Sequence, residues 1–275
     1  MAIEPIKFES VSASDTPAWR KPASFSFLSE IAQVPLSDSE VLQTSHHLPL
    51  AIDYLNDGPR VVAIVQPQFH RTPVIGANGQ WQKGYMPIAL RCLPFRLAPN
   101  ADGKMDLEIA ANLDSGETAG MPVRQSDGSL AAEVKHIEAL LRRLEQGKHN
   151  LRRAAEILLI ADVLTPLKMA SMPEAASTGR RLLIVDRNKF AALSNSRVAH
   201  LVKNGFLPID LAVASIFSQR LMPTLVAVAS EGRAAGRQER GVAAGIDEFS
   251  SALALDIQVD DSELFSFERF EQMNH

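Results

Sequence analysis

Apolar positions along the chain follow two periods, one strand-like and one helical, and they divide the sequence into a strand-rich front and a helix-rich back. From Arg60 to Leu113, the β-branched run Arg60-Val-Val-Ala-Ile-Val-Gln66, the stretch Thr72 to Ile75 and the alternating Met105-Asp-Leu-Glu-Ile-Ala predict strands of an antiparallel or mixed sheet. Ala77-Asn-Gly-Gln80 and Pro99-Asn-Ala-Asp-Gly103 carry residues that tolerate positive φ and read as the turns between them. Between these turns, Tyr85 to Pro94 holds one or two helical turns, with Pro87 near the start and Pro94 at the end. From Leu130 to Leu164, Val134, Ile137, Leu140, Leu141, Leu144, Leu151, Ala155, Leu158 and Leu159 recur at helical spacing. Gly147 lies within that run and marks a kink rather than a break.

Local signals add shorter elements. Ser37 with Glu40 three residues later is a capping-box spacing that starts a helix through Thr44, after which Leu48-Pro-Leu-Ala-Ile begins extended structure. Arg181-Leu-Leu-Ile-Val-Asp186 reads as a buried strand, with Asp186 capping a helix through Leu193. A second helix, Ser196 to Asn204, stops at Gly205 and leads into the apolar segment Ile209 to Val228. Residues 114–129 have loop chemistry, and Met169 to Gly179 is a Pro- and Gly-bounded linker. The expected organisation is an N-terminal arm at 1–29, an α+β body at 30–228, and a flexible tract with a C-terminal tail at 229–275. The arm carries isolated aromatics that need a surface to cover, and Phe265, Phe267 and Phe270 give the tail packing character.

Composition narrows the function classes. The 275 residues are 46% hydrophobic and 22% charged with a formal net charge of -4, which gives no reason to expect nucleic acid as partner. The single cysteine, Cys92, excludes an internal disulfide framework and suits a reducing compartment. The N-terminus lacks the basic start and apolar run of a secretory signal, so the expected location is cytoplasmic. Asp210, Gln219, Arg220 and Pro223 interrupt the longest apolar stretch, so no membrane span is expected. Neither a phosphate-loop nor a dinucleotide glycine pattern occurs, and no Gly-x-Ser-x-Gly elbow is present.

A set of ordered motifs carries a family resemblance: Val34-Pro-Leu36 with Glu40, His47-Leu-Pro-Leu50, Asn78-Gly-Gln-Trp81, Tyr85-Met-Pro87 and Arg91-Cys-Leu-Pro-Phe95. Asp114-Ser115, Asp127-Gly128, Val185-Asp186 and Asn204-Gly205 follow in the same order. Over residues 25 to 220 the chain resembles the SapC family of bacterial proteins. Val74-Ile-Gly-Ala77 and Met121-Pro-Val-Arg124 depart from the family pattern. The resemblance implies an α+β fold, a link through the founding member to a surface-layer locus, and an accessory role beside flavin- or iron-dependent modification enzymes. It does not imply the peptide-uptake permease that shares the short name.

Among candidate chemical groups, Trp81, Tyr85, Arg91 and Phe95 form a corner after the Asn78-Gly79 turn that packs as core or lines a groove for a protein partner or small molecule. Cys92 beside Arg91 reads as a buried hydrophobe before it reads as a nucleophile. The seven histidines are scattered, and no metal and no cofactor is expected. His46 and His47 point to opposite faces if extended, leaving His47 as the binding candidate of the pair. The basic pairs Arg142-Arg143 and Arg152-Arg153 read as a solvated helix face, with Glu138, Glu145 and Glu156 in reach. The expected function is that of a non-catalytic accessory or interaction protein; the alternative is a metal-dependent modification enzyme using His47 or His70.

Overall fold

The computed structural model describes residues 6–223 apart from 14–15, 17, 30, 56–57, 111–112, 114–119, 168–180 and 204. The chain divides into two units, residues 1–227 and 228–275, and every described residue belongs to the first. The expected linker at 169–179, the Asp114-Ser115 segment, the glycine-rich tract at 229–245 and the C-terminal phenylalanines lie outside the described residues.

In chain order the strands are β1 (Phe8–Ser10), β2 (Ala18–Trp19), β3 (Gln33–Pro35), β4 (Leu50–Leu55), β5 (Gly58–Ile64), β6 (Phe95–Pro99), β7 (Met105–Ala110), β8 (Met121–Pro122), β9 (Leu164–Pro166) and β10 (Arg181–Val185). The helices are α1 (Val41–Ser45), α2 (Ile88–Arg91), α3 (Ala132–Ile160), α4 (Arg187–Ala191), α5 (Asn195–Val202) and α6 (Leu207–Ser218). Their combination is an α+β fold, and every pairing among these strands is antiparallel.

The strand-rich front is not one sheet. β5 belongs to a five-stranded sheet of order β3-β5-β4-β10-β9, whereas β6 and β7 join β1 in a three-stranded sheet. The Thr72 to Ile75 stretch, expected as a strand, contributes only the single bridge Ile75↔Trp81 among the described residues. Pro73 has no N–H to donate to a ladder, and the chain turns back at Gly76 to Gln80. That turn and α2 lie between β5 and β6 and carry the chain from one sheet to the other. The first 29 residues also do more than lie across a body: β1 extends the three-stranded sheet and β2 pairs with β8.

Helix α3 runs unbroken through Gly147 for 29 residues and serves two cores. Its first half places Val134, Ile137, Leu141 and Leu144 against Trp19, Phe95, Leu107 and Ile109. Its second half places Leu151, Ala154, Ala155 and Leu158 among Leu50, Ile52, Val61 and the α6 residues Leu211 and Ala212. Gly147 stands where these halves meet, and a Cβ there would lie 2.0 Å from Ser37 Oγ and 2.8 Å from the Asp38 backbone nitrogen. The glycine is required by close approach of another backbone, which outweighs its helix cost of about 1 kcal/mol.

On the solvated side of α3, Arg142 pairs with Glu138 at 2.6 Å and Arg152 with Glu156 at 3.3 Å, the expected i, i+4 arrangement. Among the described residues no single helix is long and apolar enough to cross a membrane; α5 with Leu207–Leu221 reaches the length only as a pair bent by 109°.

Candidate functional site

Some of the motif residues meet between the turn that opens α1 and the start of α2, and Glu40 is the centre of that meeting. Its carboxylate, 2% exposed, accepts the Ser37 N–H at 2.9 Å through Oε1, closing the turn that opens α1. Oε2 accepts the Tyr85 hydroxyl at 2.9 Å and the Ile88 N–H at 2.8 Å, so the same side chain also holds the first turn of α2. Burial, then the Glu40 charge, raises the Tyr85 phenol well above its ordinary range. Arg91 lies over the Tyr85 ring at 5.5 Å and donates to its hydroxyl at 3.4 Å. The capping-box spacing revealed half of the role of Glu40; the half that reaches Tyr85 and Ile88 has no local signature.

Trp81 directly follows the Gly76 to Gln80 turn. Gly76 N–H donates to Gln80 O, Gly79 N–H to Gly76 O and Gln82 N–H to Val74 O, at 2.8 to 2.9 Å, and Gly79 takes φ +76°. This hairpin turns the Trp81 indole inward, partly buried, with an edge contact to Phe25 at 6.2 Å and its N–H on Tyr85 O at 3.1 Å. Phe95 is 1% exposed and meets Trp19 edge-on at 5.1 Å, in the core on the other side of α2. The structure therefore joins Tyr85 and Arg91 directly, links Trp81 to them through a backbone oxygen, and puts Phe95 in a separate core cluster. Cys92 is buried beside Phe95, and burial pushes its thiol up to about 11.

The outer side of the hairpin faces an open cavity of about 540 Å³ lined by His46, His47, Thr72, Gln82, Lys83 and Gly84, with Pro73, Gly76 and Leu221 completing its wall. His46 and His47 line it together, contrary to the expectation that only one of them would face a pocket. That expectation assumed extended backbone, whereas His46 caps α1 in helical conformation (φ -74°, ψ -22°) and the two rings lie 6.5 Å apart. Lys83 Nζ donates to Thr72 O at 2.9 Å and Thr72 Oγ1 at 2.6 Å, and burial lowers its pKa. His47 is lowered as well, first by burial and then by the charges of His46, Lys83 and Arg220. Arg220 stacks on Phe217 at 4.0 Å, and His46 lies 4.7 Å from the same ring. No Asp or Glu is among these lining residues. Lys83, Thr72 and Arg220 were not singled out in the sequence, because nothing in their spacing brings them to His47.

His70 does not line the cavity, although the Lys83 charge reaches it. Its Nε2–H donates to Ile64 O at 2.9 Å, and burial lowers its pKa to about 4. Among the described residues no group of three or more His, Cys, Asp or Glu side chains is placed to hold a metal, and Asp114 lies outside them. Of the sequence candidates, His47 alone lines the large cavity.

In comparison with known protein families, the family model described as SapC matches residues 16–225, which include the Glu40 knot, the hairpin and the cavity. No curated protein and no solved structure matches.

Proposed function

The chain belongs to the SapC family, and from that premise we propose that it is a non-catalytic accessory protein that works by binding, with the cavity at His46, His47 and Lys83 as its point of engagement. The carrying observation is how the chemically able groups are divided. Glu40, the Tyr85 phenol and the Cys92 thiol are committed to the fold: the carboxylate accepts all three of its hydrogen bonds from the protein, and the thiol is buried and held protonated. The groups that face the cavity are imidazoles and a lysine anchored on Thr72, without a carboxylate among the lining residues to orient a histidine as a base. Such a set holds a charged group in place better than it transforms one. A cytoplasmic location and service to a surface-layer or modification system belong to the same reading, the first supported by a lone buried cysteine and the second by the family resemblance.

Metal analysis of the purified, folded full-length chain tests this reading. Iron and zinc well below one per chain are expected. One equivalent of either, lost in His47→Gln, would replace the accessory reading with the metal-dependent enzyme.

A further inference from the structure

The cavity's own chemistry names its ligand class. Its donors come from two places, His46 and His47 at the end of α1 and Lys83 in the bend after the hairpin, with the Arg220 charge close enough to act on His47. These groups are held before any ligand arrives. Thr72 fixes the Lys83 ammonium with two hydrogen bonds, and Phe217 lies against both Arg220 and His46. Gly84 lets the His47 ring close on the wall, since a Cβ there would come within 2.9 Å of Cε1. Burial first, and then the charges of His46, Lys83 and Arg220, lowers the His47 proton affinity, and no carboxylate among the lining residues offsets that repulsion. A divalent cation would add to it. A multivalent oxyanion would relieve it while accepting hydrogen bonds from several sides.

We propose that this cavity is an oxyanion site fitted to the phosphoryl group of a small molecule, with His46, His47 and Lys83 as the residues that hold it. The inference rests on the reading of the cavity as a place of binding. A volume of about 540 Å³ is of the size that encloses a small ligand and much larger than a bare phosphate needs. The phosphoryl oxygens take donors from the two imidazoles and the lysine, and the wall of Thr72, Pro73 and Gln82 is left for the remainder of the molecule.

The test follows the His47 imidazole resonances of the full chain by NMR through a pH titration, with inorganic phosphate, acetate or chloride at matched ionic strength. Phosphate is expected to raise the His47 pKa saturably from its lowered position, because a bound dianion favours the imidazolium. Lys83→Gln, which keeps a donor for Thr72, and His46→Gln at the exposed rim should each weaken phosphate at least about tenfold, the scale of one lost charge-assisted hydrogen bond. No saturable response to phosphate, an equal response to acetate, or undiminished phosphate binding in both folded variants would overturn the proposal. The two readings fail separately: an absent phosphate response leaves the metal content as found, and a stoichiometric metal counts against the accessory role whatever phosphate does.

Discussion

The Tyr85 hydroxyl and the Glu40 carboxylate are joined at 2.9 Å, and the oxygen that accepts the phenol also accepts the Ile88 N–H at 2.8 Å. One acid thus sets the order of two helical turns that are far apart in sequence. Replacing it by its amide keeps the volume but turns an N–H group toward donors. Glu40→Gln is therefore expected to cost about 2 kcal/mol, and Tyr85→Phe, which removes one neutral donor, about 1 kcal/mol. Chemical denaturation of the two variants should rank them in that order.

The same pair has a pH signature. The folded pKa of Tyr85 lies above the unfolded value of 10.0, so the folded state holds its proton more firmly. Its contribution to stability is complete below that unfolded value and falls as pH rises through and beyond it. Difference absorbance between the chain and Tyr85→Phe should show no tyrosinate from Tyr85 at pH 10.5; its appearance there would remove the buried contact from the account.

Trp81 fills space between the hairpin and Phe25 and satisfies its N–H on Tyr85 O. Trp81→Ala should cost about 3 kcal/mol and lower the melting temperature strongly. An unchanged melting temperature would mean that the indole packs against something other than the fold.

At Gly147 propensity and packing oppose each other. Alanine in a helix interior is favoured over glycine by about 1 kcal/mol, yet the added carbon would fall 2.0 Å from Ser37 Oγ and 2.6 Å from Asp38 Oδ1. Backbone at 2.8 Å cannot swing aside as a hydroxyl can. Gly147→Ala is expected to destabilise by about 1 to 3 kcal/mol, whereas a gain in stability would show that the turn before α1 yields easily.

His70 makes stability fall in mild acid. Its folded pKa of about 4 lies below the unfolded 6.5, so the unfolded chain takes up the proton first as pH drops. The associated stability is fully present above 6.5 and is lost as pH falls toward about 4, with a size of roughly 2 to 3 kcal/mol. His70→Gln should flatten the unfolding free energy between pH 7 and pH 4.5 relative to the parent chain.

What the sequence made legible follows from how local each signal is. The α3 periodicity, the Asp186 cap on the N–H groups of Asn188 and Lys189, and the turn at Gly79 are each complete within a few residues, and each is found in place. The split into two sheets was hidden because alternation reports that Met105 to Ala110 is a strand and not which strand it pairs with. Trp19 carried no signal beyond its size, and only the sheet geometry puts it on Phe95. The cavity was least legible of all, since His47, Thr72, Lys83 and Leu221 come from four segments and meet through tertiary packing.

The place of β10 in the five-stranded sheet has a consequence for how the chain is made. β4 pairs with β5 across a tight connection, but its other edge waits for β10, where Leu183 lies opposite Ile52. A ribosome adding residues at roughly 5 to 20 per second leaves that edge without its neighbour for on the order of ten seconds. Through that interval the nascent hairpin presents a row of open backbone donors and acceptors, the kind of template that another strand can seize. The short β3 guards the opposite flank early, on β5. The remaining flank is closed only by a segment made late, and this makes the first half of the chain, emerging alone, the stage most in need of a chaperone.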